Sequence, residues 1–276
     1  MWIHKLDVFE RFGKLTSRHS PLPSILSTMF SVLVILWTMT LGVSSVIGLS
    51  IQAGTIIQLA DGTSVQTGKT SNGLSWQASG ILNQGCVDST AFPIAITDCY
   101  SVSLSSDPAQ NLDPSPGTPR QRIEFLTPGA ADGTTHKFKW RYYLSSTVGT
   151  SSHFFHLMQL LSRGDGGPIV ALDVVNGKIS VQDFKRDCST TGCPSIPLAS
   201  FTDRTTVHFV TVTYGPNGRF DYVVKDASDQ SNMLLRYTVT GAMGSDSSSN
   251  KFGTYRAAFS GMTAVRAAMG DFVDQT

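Results

Sequence analysis

The feature of this sequence that most constrains its fold is a succession of short β-type segments with turn signals between them. After the first 49 residues, no stretch sustains the 3.6-residue hydrophobic period of an amphipathic helix. Asparagine and glycine can supply the positive φ that hairpin turns need at 175–178 and 214–219. The segments that we expect to form strands are 55–59, 75–78, 91–97, 100–104, 120–126, 137–144, 153–161, 169–174, 178–184, 207–214, 219–225, 234–239, 251–259 and a terminal run near Phe272. Many short strands at this spacing predict an all-β fold, a two-sheet antiparallel β-sandwich of the jelly-roll class.

The first 49 residues differ in character from the rest. An uncharged apolar run at 25–49 is preceded by Lys14 and Arg18, which predicts a signal peptide or a signal anchor over residues 1–49. Small residues near the end of the run resemble a cleavage site and favour the cleaved form. In either case we expect residues 50–276 to form a single β-jelly-roll domain outside the cytosol. A cleaved leader gives a secreted protein, and an uncleaved one gives a single-pass membrane protein.

The charge of the chain argues against nucleic acid as a partner. The formal net charge is +1 at pH 7, from 21 basic and 20 acidic residues. Four of the basic and two of the acidic residues lie in the first 24 positions, so 17 basic and 18 acidic residues remain. No basic field is left to bind a phosphate backbone. A membrane partner is expected only if the leader stays uncleaved.

Four cysteines lie in the exported part of the chain: Cys86, Cys99, Cys188 and Cys193. Three pairings are possible, and we expect the local pairs Cys86–Cys99 and Cys188–Cys193. Such disulfides fit an oxidising compartment. The second pair, with no histidine nearby, does not suit zinc, and we expect no metal site and no cofactor. The fold class admits a structural calcium ion, but no oxygen-rich loop of the sequence marks one.

Composition disfavours the glycan hydrolases that use two carboxylates. The chain has only two glutamates, Glu10 and Glu124, and the first lies in the leader. Asp173 and Asp183 remain as an alternative pair, although we expect both to end strands or to cap turns. The Gly-x-Ser-x-Gly motif of serine hydrolases does not occur in the sequence.

A set of neutral and cationic side chains remains as the candidate site: Arg122, His156, Gln159, Lys251 and Tyr255. These residue types suit β-elimination on a uronic acid polymer. The proton on C5 of a uronate becomes acidic when the neighbouring carboxylate is neutralised by hydrogen bonds and positive charge. A histidine or tyrosine can then remove that proton, and a tyrosine can protonate the leaving glycosidic oxygen.

Three segments resemble strands of the concanavalin-like jelly-roll polysaccharide lyases, a group that includes alginate lyases, glucuronan lyases and heparinase-like proteins. These segments are Arg122-Ile-Glu124, Phe155-His156-Leu-Met-Gln159 and Lys251-Phe-Gly-Thr-Tyr255-Arg. The resemblance implies a secreted, monomeric polysaccharide lyase that binds an anionic polysaccharide and cleaves it at a uronic acid. The alternative is a non-catalytic, lectin-like carbohydrate-binding protein on the same fold.

The resemblance also implies a role for each candidate residue. Arg122 and Gln159 would neutralise the substrate carboxylate, and Tyr255 would act as acid or as combined acid and base. His156 would be the base or its helper, and Lys251 would bind substrate.

Three further residues, Arg120, Arg141 and Tyr143, are predicted to bind substrate in the same groove, since aromatic rings stack on sugars. The neighbouring Trp140 fits the groove or the core equally well.

Two of the candidate residues also have structural interpretations. His156 lies in an apolar run and suits a buried core histidine as well as a site. Arg122 can pair with Glu124, two residues further along the same face. His156 and Gln159 are three residues apart, so a regular strand would direct one of them into the core unless a β-bulge intervenes.

Overall fold

The computed structural model describes residues 55–87, 93–114 and 117–276, which form two β-sheets of eight strands each. Every pairing between the described strands is antiparallel. The prediction of an all-β, two-sheet sandwich is confirmed. The predicted leader at 1–49 lies outside the described residues. Within the described part of the chain, no helix has the length and apolar character needed to cross a membrane.

Each sheet is built from strands that are distant in sequence. Sheet A contains, in spatial order, β1 (Ile57–Asp61), β4 (Ile81–Gln84), β5 (Cys99–Leu104), β16 (Val265–Asp274), β7 (Thr135–Leu144), β12 (Thr205–Thr213), β13 (Gly215–Asp226) and β14 (Met233–Met243). Sheet B contains β11 (Ser195–Pro197), β10 (Lys178–Asp183), β9 (Gly167–Val175), β8 (Phe155–Ser162), β15 (Ser249–Ala257), β6 (Arg120–Leu126), β3 (Ser75–Ala78) and β2 (Gln66–Lys69). The described helical turns are α1 (Cys188–Thr191) and a 3-10 turn at Leu198–Ser200.

Most predicted strands are present, with ends displaced by a few residues. The predictions for 75–78 and 120–126 match β3 and β6 to the residue. The strand predicted at 91–97 is wrong over 93–97, which is irregular, and residues 91–92 lie outside the described part. Three short strands were not predicted, namely β2, β4 and β11.

An aromatic layer between the sheets forms the centre of the core. The Trp140 ring stacks on Phe252 and on His208, with ring centroids 4.9 Å apart in both cases. Trp140 is fully buried, so it belongs to the core and not to a groove. Phe252 lies on β15, and its ring therefore ties the central strand of sheet B to sheet A.

The predicted disulfides are confirmed. Cys86 pairs with Cys99, and Cys188 pairs with Cys193. No described cysteine is free. The first bridge links the end of β4 to the start of β5, and the second closes the turn that contains α1.

Buried His208 makes the stability of the fold depend on pH. Its imidazole bonds to Thr206 and Tyr222, and burial lowers its pKa from 6.5 to about 3. The unfolded chain therefore binds a proton at this residue, between pH 6.5 and 3, that the folded chain does not bind. Because the unfolded state binds more protons, the free energy of unfolding must fall as the pH falls through this window.

Where the unfolded state binds one proton more at His208, we expect the free energy of unfolding to fall by about 1.4 kcal/mol for each unit of pH decrease. Urea denaturation of the wild type and His208→Gln between pH 7 and about 5, above the usual carboxylate range, measures this contribution. The variant should be less stable at pH 7 and should show a smaller loss with acid. His153→Gln, at an exposed position, serves as the matched control. An equal pH slope in the wild type and His208→Gln would contradict this assignment.

Candidate functional site

The candidate site lies on the middle strands of sheet B. In the pairing of β15 with its two neighbours, Tyr255 lies opposite Arg122 of β6 on one side and His156 of β8 on the other. His156 in turn lies opposite Asp173 of β9. Lys251 lies opposite Gln159 on β8. The five residues of the predicted candidate site are thus brought together on adjacent strands: Arg122, His156, Gln159, Lys251 and Tyr255.

A β-bulge explains how His156 and Gln159 share a face although they are three residues apart. The register between β8 and β9 shifts between His156 and Met158, so that one residue of β8 is left over. The register between β15 and β8 shifts in the same region, between Phe252 and Tyr255. Leu157 and Met158 both pack in the hydrophobic core. Met158 therefore does not share the face of His156, as a regular strand would require.

Gly253 is needed for close packing of β15 against β6. Its φ is 155°, and a Cβ atom there would come within 2.1 Å of the Ile123 carbonyl oxygen. The Gly253 carbonyl accepts a hydrogen bond of 3.0 Å from the Tyr142 hydroxyl of sheet A. Only glycine allows β6 to approach β15 this closely at the centre of the site.

Glu124 lies at the centre of a buried network of charged and polar groups. Its carboxylate accepts a 2.5 Å hydrogen bond from Gln159 and lies 3.4 Å from Lys251 Nζ and 3.4 Å from Arg122 Nε. Glu124 is 2% exposed. A carboxylate so deeply buried needs such partners, since an unpaired buried charge is strongly unfavourable. Glu124 thus fixes the positions of three of the predicted site residues.

The Arg122 guanidinium is held by acceptors on three sides. Besides Glu124, it lies 2.9 Å from Asp113 Oδ2 and donates a 2.9 Å hydrogen bond to Gln77 Oε1. Few of its donors are left for a substrate carboxylate. Lys251 differs, because its ammonium has three N–H donors and, among the residues that the structure describes, contacts one carboxylate oxygen of Glu124.

Two arginines surround the phenol of Tyr255. Arg120 Nη1 donates a 2.8 Å hydrogen bond to the hydroxyl oxygen. The Arg122 guanidinium carbon lies 4.3 Å from the ring centroid, in the range of a cation–π contact. Positive charge therefore lies beside the hydroxyl of Tyr255 and over its ring.

The imidazole of His156 is oriented by a carboxylate that was not predicted to belong to the site. Nδ1 is hydrogen-bonded to Asp173 Oδ1, and the ring centroid lies 5.7 Å from that of Tyr255.

Asp173 was expected to end a strand or to cap a turn, but it lies buried within β9. Asp183 does not pair with it, because its carboxylate binds Arg186 and Tyr237 instead. A signal for Asp173 existed, since a carboxylate within the apolar run of β9 requires a partner.

A cavity of about 350 Å³ opens beside His156. Its lining includes Ser152, Phe154, His156, Asp173, Gln182 and Phe184. Phe154 packs on both His156 and Tyr255, with centroid distances of 5.0 and 5.1 Å. His156 therefore lines the cavity directly, whereas Tyr255 is not a lining residue and contacts Phe154, which is one.

Two predicted substrate-binding residues lie elsewhere. Arg141 and Tyr143 belong to β7 of sheet A, where the alternating Trp140 and Tyr142 fill the core. Arg141 therefore faces outward and pairs with Asp271, 3.5 Å away. Tyr143 packs near the Cys86–Cys99 bridge and donates a 3.3 Å hydrogen bond to Asp203. Their prediction as groove residues is wrong, because β7 belongs to the opposite sheet.

No metal centre is evident in the described residues. Within 55–87, 93–114 and 117–276, no three histidine, cysteine or acidic side chains are placed to hold an ion. The predictions of no cofactor and of an optional structural calcium ion stay predictions.

Comparisons with known proteins give similarity at the level of the fold. No family model matches the sequence, and no curated protein sequence matches it. An endo-β-1,4-glucuronan lyase of the fungus Trichoderma reesei is 11% identical with a TM-score of 0.46, over 82% of this chain and 92% of that chain. A PL7 alginate lyase of Zobellia galactanivorans is 11% identical with a TM-score of 0.44, over 78% of this chain and 96% of that one. A GH131 β-glucanase catalytic domain of Podospora anserina is 10% identical with a TM-score of 0.44, over 64% and 72%.

Proposed function

We propose that this protein is a secreted polysaccharide lyase that cleaves an anionic, uronate-containing polysaccharide by β-elimination. The observation that carries the proposal is the pairing of Tyr255 and His156 on adjacent strands, each with a charged group that suits proton transfer. Arg120 bonds the phenol of Tyr255, and Asp173 bonds the imidazole of His156. The two disulfides and the apolar leader support secretion.

The Asp173 contact defines which nitrogen of His156 can act as the base. A neutral imidazole that donates its Nδ1 hydrogen to Asp173 carries its lone pair on Nε2. That nitrogen removes the C5 proton of the uronate. The electron pair of the C5–H bond forms a C4–C5 double bond, and the bond from C4 to the glycosidic oxygen breaks.

Tyr255 then acts as the general acid. Its hydroxyl proton passes to the leaving glycosidic oxygen, and the resulting phenolate is stabilised by Arg120 and Arg122. Proton transfer from His156 or from solvent restores the phenol.

The substrate carboxylate is neutralised in this proposal mainly by Lys251, with the second amide hydrogen of Gln159 as a further donor. Both groups are positioned by Glu124. Arg122 was predicted for this task, but its contacts with Asp113, Gln77 and Glu124 suit a supporting role beside Tyr255.

One observation favours the alternative of a non-catalytic carbohydrate-binding protein. Within the described site, two carboxylates, Asp113 and Glu124, already neutralise much of the charge of Arg122 and Lys251. Less positive charge is then available to acidify the C5 proton.

The test is a turnover assay with the purified protein on alginate, polyglucuronate, pectate and unsulfated heparosan. A lyase must produce a double bond conjugated with the uronate carboxylate, which absorbs in the ultraviolet. We expect a steady rise in absorbance with at least one polymer. No rise with any of them, together with measurable binding in affinity electrophoresis, would reject the lyase and support the binding protein.

A further inference from the structure

The cavity beside His156 differs in chemistry from the cationic strands next to it. Among the described residues that line it, none is lysine or arginine. Its polar groups are the hydroxyl of Ser152, the amide of Gln182 and the His156–Asp173 pair. Lys178 lies on the same face at the start of β10, but it is not among the lining residues.

The His156–Asp173 pair cannot make this cavity attractive to an anion. When the imidazole is neutral, the pair carries one negative charge from Asp173. When the imidazole is protonated, the pair is neutral. In neither state does it carry net positive charge, so a carboxylate in the cavity would meet no attraction and, in the first state, would be repelled.

The cationic strands, by contrast, carry a limited excess of positive charge. Arg120, Arg122 and Lys251 provide three basic groups, and Asp113 and Glu124 provide two carboxylates. This balance suits one substrate carboxylate. It does not suit a run of adjacent uronates, each of which would bring a further negative charge.

The aromatic lining of the cavity suits the apolar face of a neutral sugar. Phe184 is 51% exposed, which is unusual for a ring of this size, and it meets His156 edge-on at a centroid distance of 6.3 Å. Phenylalanine rings offer sugars stacking without charge, while Ser152 and Gln182 offer neutral hydrogen-bonding groups for sugar hydroxyls. A volume of about 350 Å³ lies at the small end of ligand pockets and suits about one sugar ring.

The sheet geometry places this cavity one sugar away from the site of elimination. Tyr255, His156 and Asp173 lie opposite one another on three successive strands. Neighbouring strands are about 4.8 Å apart, so the two ends of this row are separated by about 10 Å. A polymer that crosses the strands can therefore place a uronate at Lys251 and Tyr255 and its neighbour in the cavity.

We infer that the cavity is a subsite for an uncharged sugar and that the substrate is a heteropolysaccharide in which uronate alternates with a neutral sugar. This inference rests on the proposed lyase function and narrows its substrate class. Polymers made only of uronate would place a carboxylate beside Asp173 and are the disfavoured substrates.

The experiment compares two polymers that share glucuronate. Polyglucuronate carries a carboxylate on every sugar, whereas unsulfated heparosan alternates glucuronate with neutral N-acetylglucosamine. We expect kcat/KM of the full-length protein to be about tenfold higher for heparosan. Hyaluronan, which has the same alternation with different linkages, separates an effect of charge from an effect of linkage.

Two variants test the cavity itself. Phe184→Ala should lower kcat/KM for the alternating polymer about tenfold more than for polyglucuronate. Gln182→Lys adds a cation to the lining and should raise the relative use of polyglucuronate. Gln230→Lys adds the same charge in an exposed turn between β13 and β14 and should not change the preference.

The outcomes separate the inference from the proposed function. Equal or faster cleavage of polyglucuronate, with no effect of Gln182→Lys on the preference, overturns the neutral subsite and leaves the lyase intact. If no polymer is cleaved, the proposed function fails, and binding of the same polymers in affinity electrophoresis decides on the subsite. Preferred binding of the alternating polymers would then support it, and preferred binding of polyglucuronate would overturn it.

Discussion

Tyr255→Phe is expected to lower kcat by about 10²- to 10⁴-fold, the usual contribution of a general acid. The substitution removes one hydroxyl oxygen and leaves the ring that packs on Phe154 and under Arg122. It also removes the acceptor of the Arg120 hydrogen bond. Because the ring contacts remain, polymer binding should change little. Initial rates of double-bond formation and affinity electrophoresis measure the two effects separately.

Tyr143→Phe is the matched control, since it removes a hydroxyl from a tyrosine of the opposite sheet. Its hydroxyl bonds Asp203 at 3.3 Å, far in the fold from the strands of the candidate site. We expect kcat to stay close to that of the wild type. If Tyr255→Phe also retained most of the activity, Tyr255 would have no part in proton transfer, and the mechanism proposed for it would be wrong.

Glu124→Ala is expected to reduce the free energy of unfolding by about 3–5 kcal/mol, the usual effect of removing one partner from a buried charge network. The variant leaves the ammonium of Lys251 and the amide of Gln159 without their shared acceptor. Both side chains are almost fully buried. Guanidinium denaturation measures this loss in the free energy of unfolding. The slope of that free energy against denaturant concentration is compared between the wild type and the variant, to confirm that both unfold in two states.

Asp221→Ala provides the control for Glu124→Ala at the protein surface. Asp221 also contacts two basic residues, Arg219 at 3.9 Å and Arg236 at 3.4 Å, but both arginines are more than half exposed. Solvent screens such pairs, so the expected loss is below about 1 kcal/mol. A loss of similar size in the two variants would show that Glu124 does not organise the site.

The fold was largely predictable because apolar and polar residues alternate along many of its strands. β6 (Arg120–Leu126) has Ile123 and Phe125 on the core face and Arg122 and Glu124 on the other, and its bounds were predicted correctly. The strands that were not predicted are short, and Gln66–Lys69 contains no large apolar residue. Such strands form because they pair with neighbouring strands, β2 and β11 at a sheet edge and β4 between β1 and β5. A single segment of sequence does not reveal this pairing.

The site was predictable in part, and two physical causes explain why the rest of the prediction was undecided or wrong. The bulge in β8 depends on the registers of both neighbouring strands, so the sequence alone could not decide whether His156 and Gln159 share a face. The prediction that Arg141 and Tyr143 line the groove was wrong because the type of a side chain does not indicate which sheet its strand joins. Arg120 donates a hydrogen bond to the hydroxyl of Tyr255, and its contact with substrate stays a prediction.

Cleavage of a uronate polymer by elimination is tested most directly by the mass of the products. Elimination breaks the glycosidic bond without consuming water, whereas hydrolysis adds one water molecule for each bond broken. Mass spectrometry of oligosaccharides released from heparosan in ¹⁸O-labelled water should show products with an unsaturated uronate at the new non-reducing end and no label incorporated by cleavage. Saturated products that carry one labelled oxygen for each cleavage would contradict the claim and would establish a hydrolase instead.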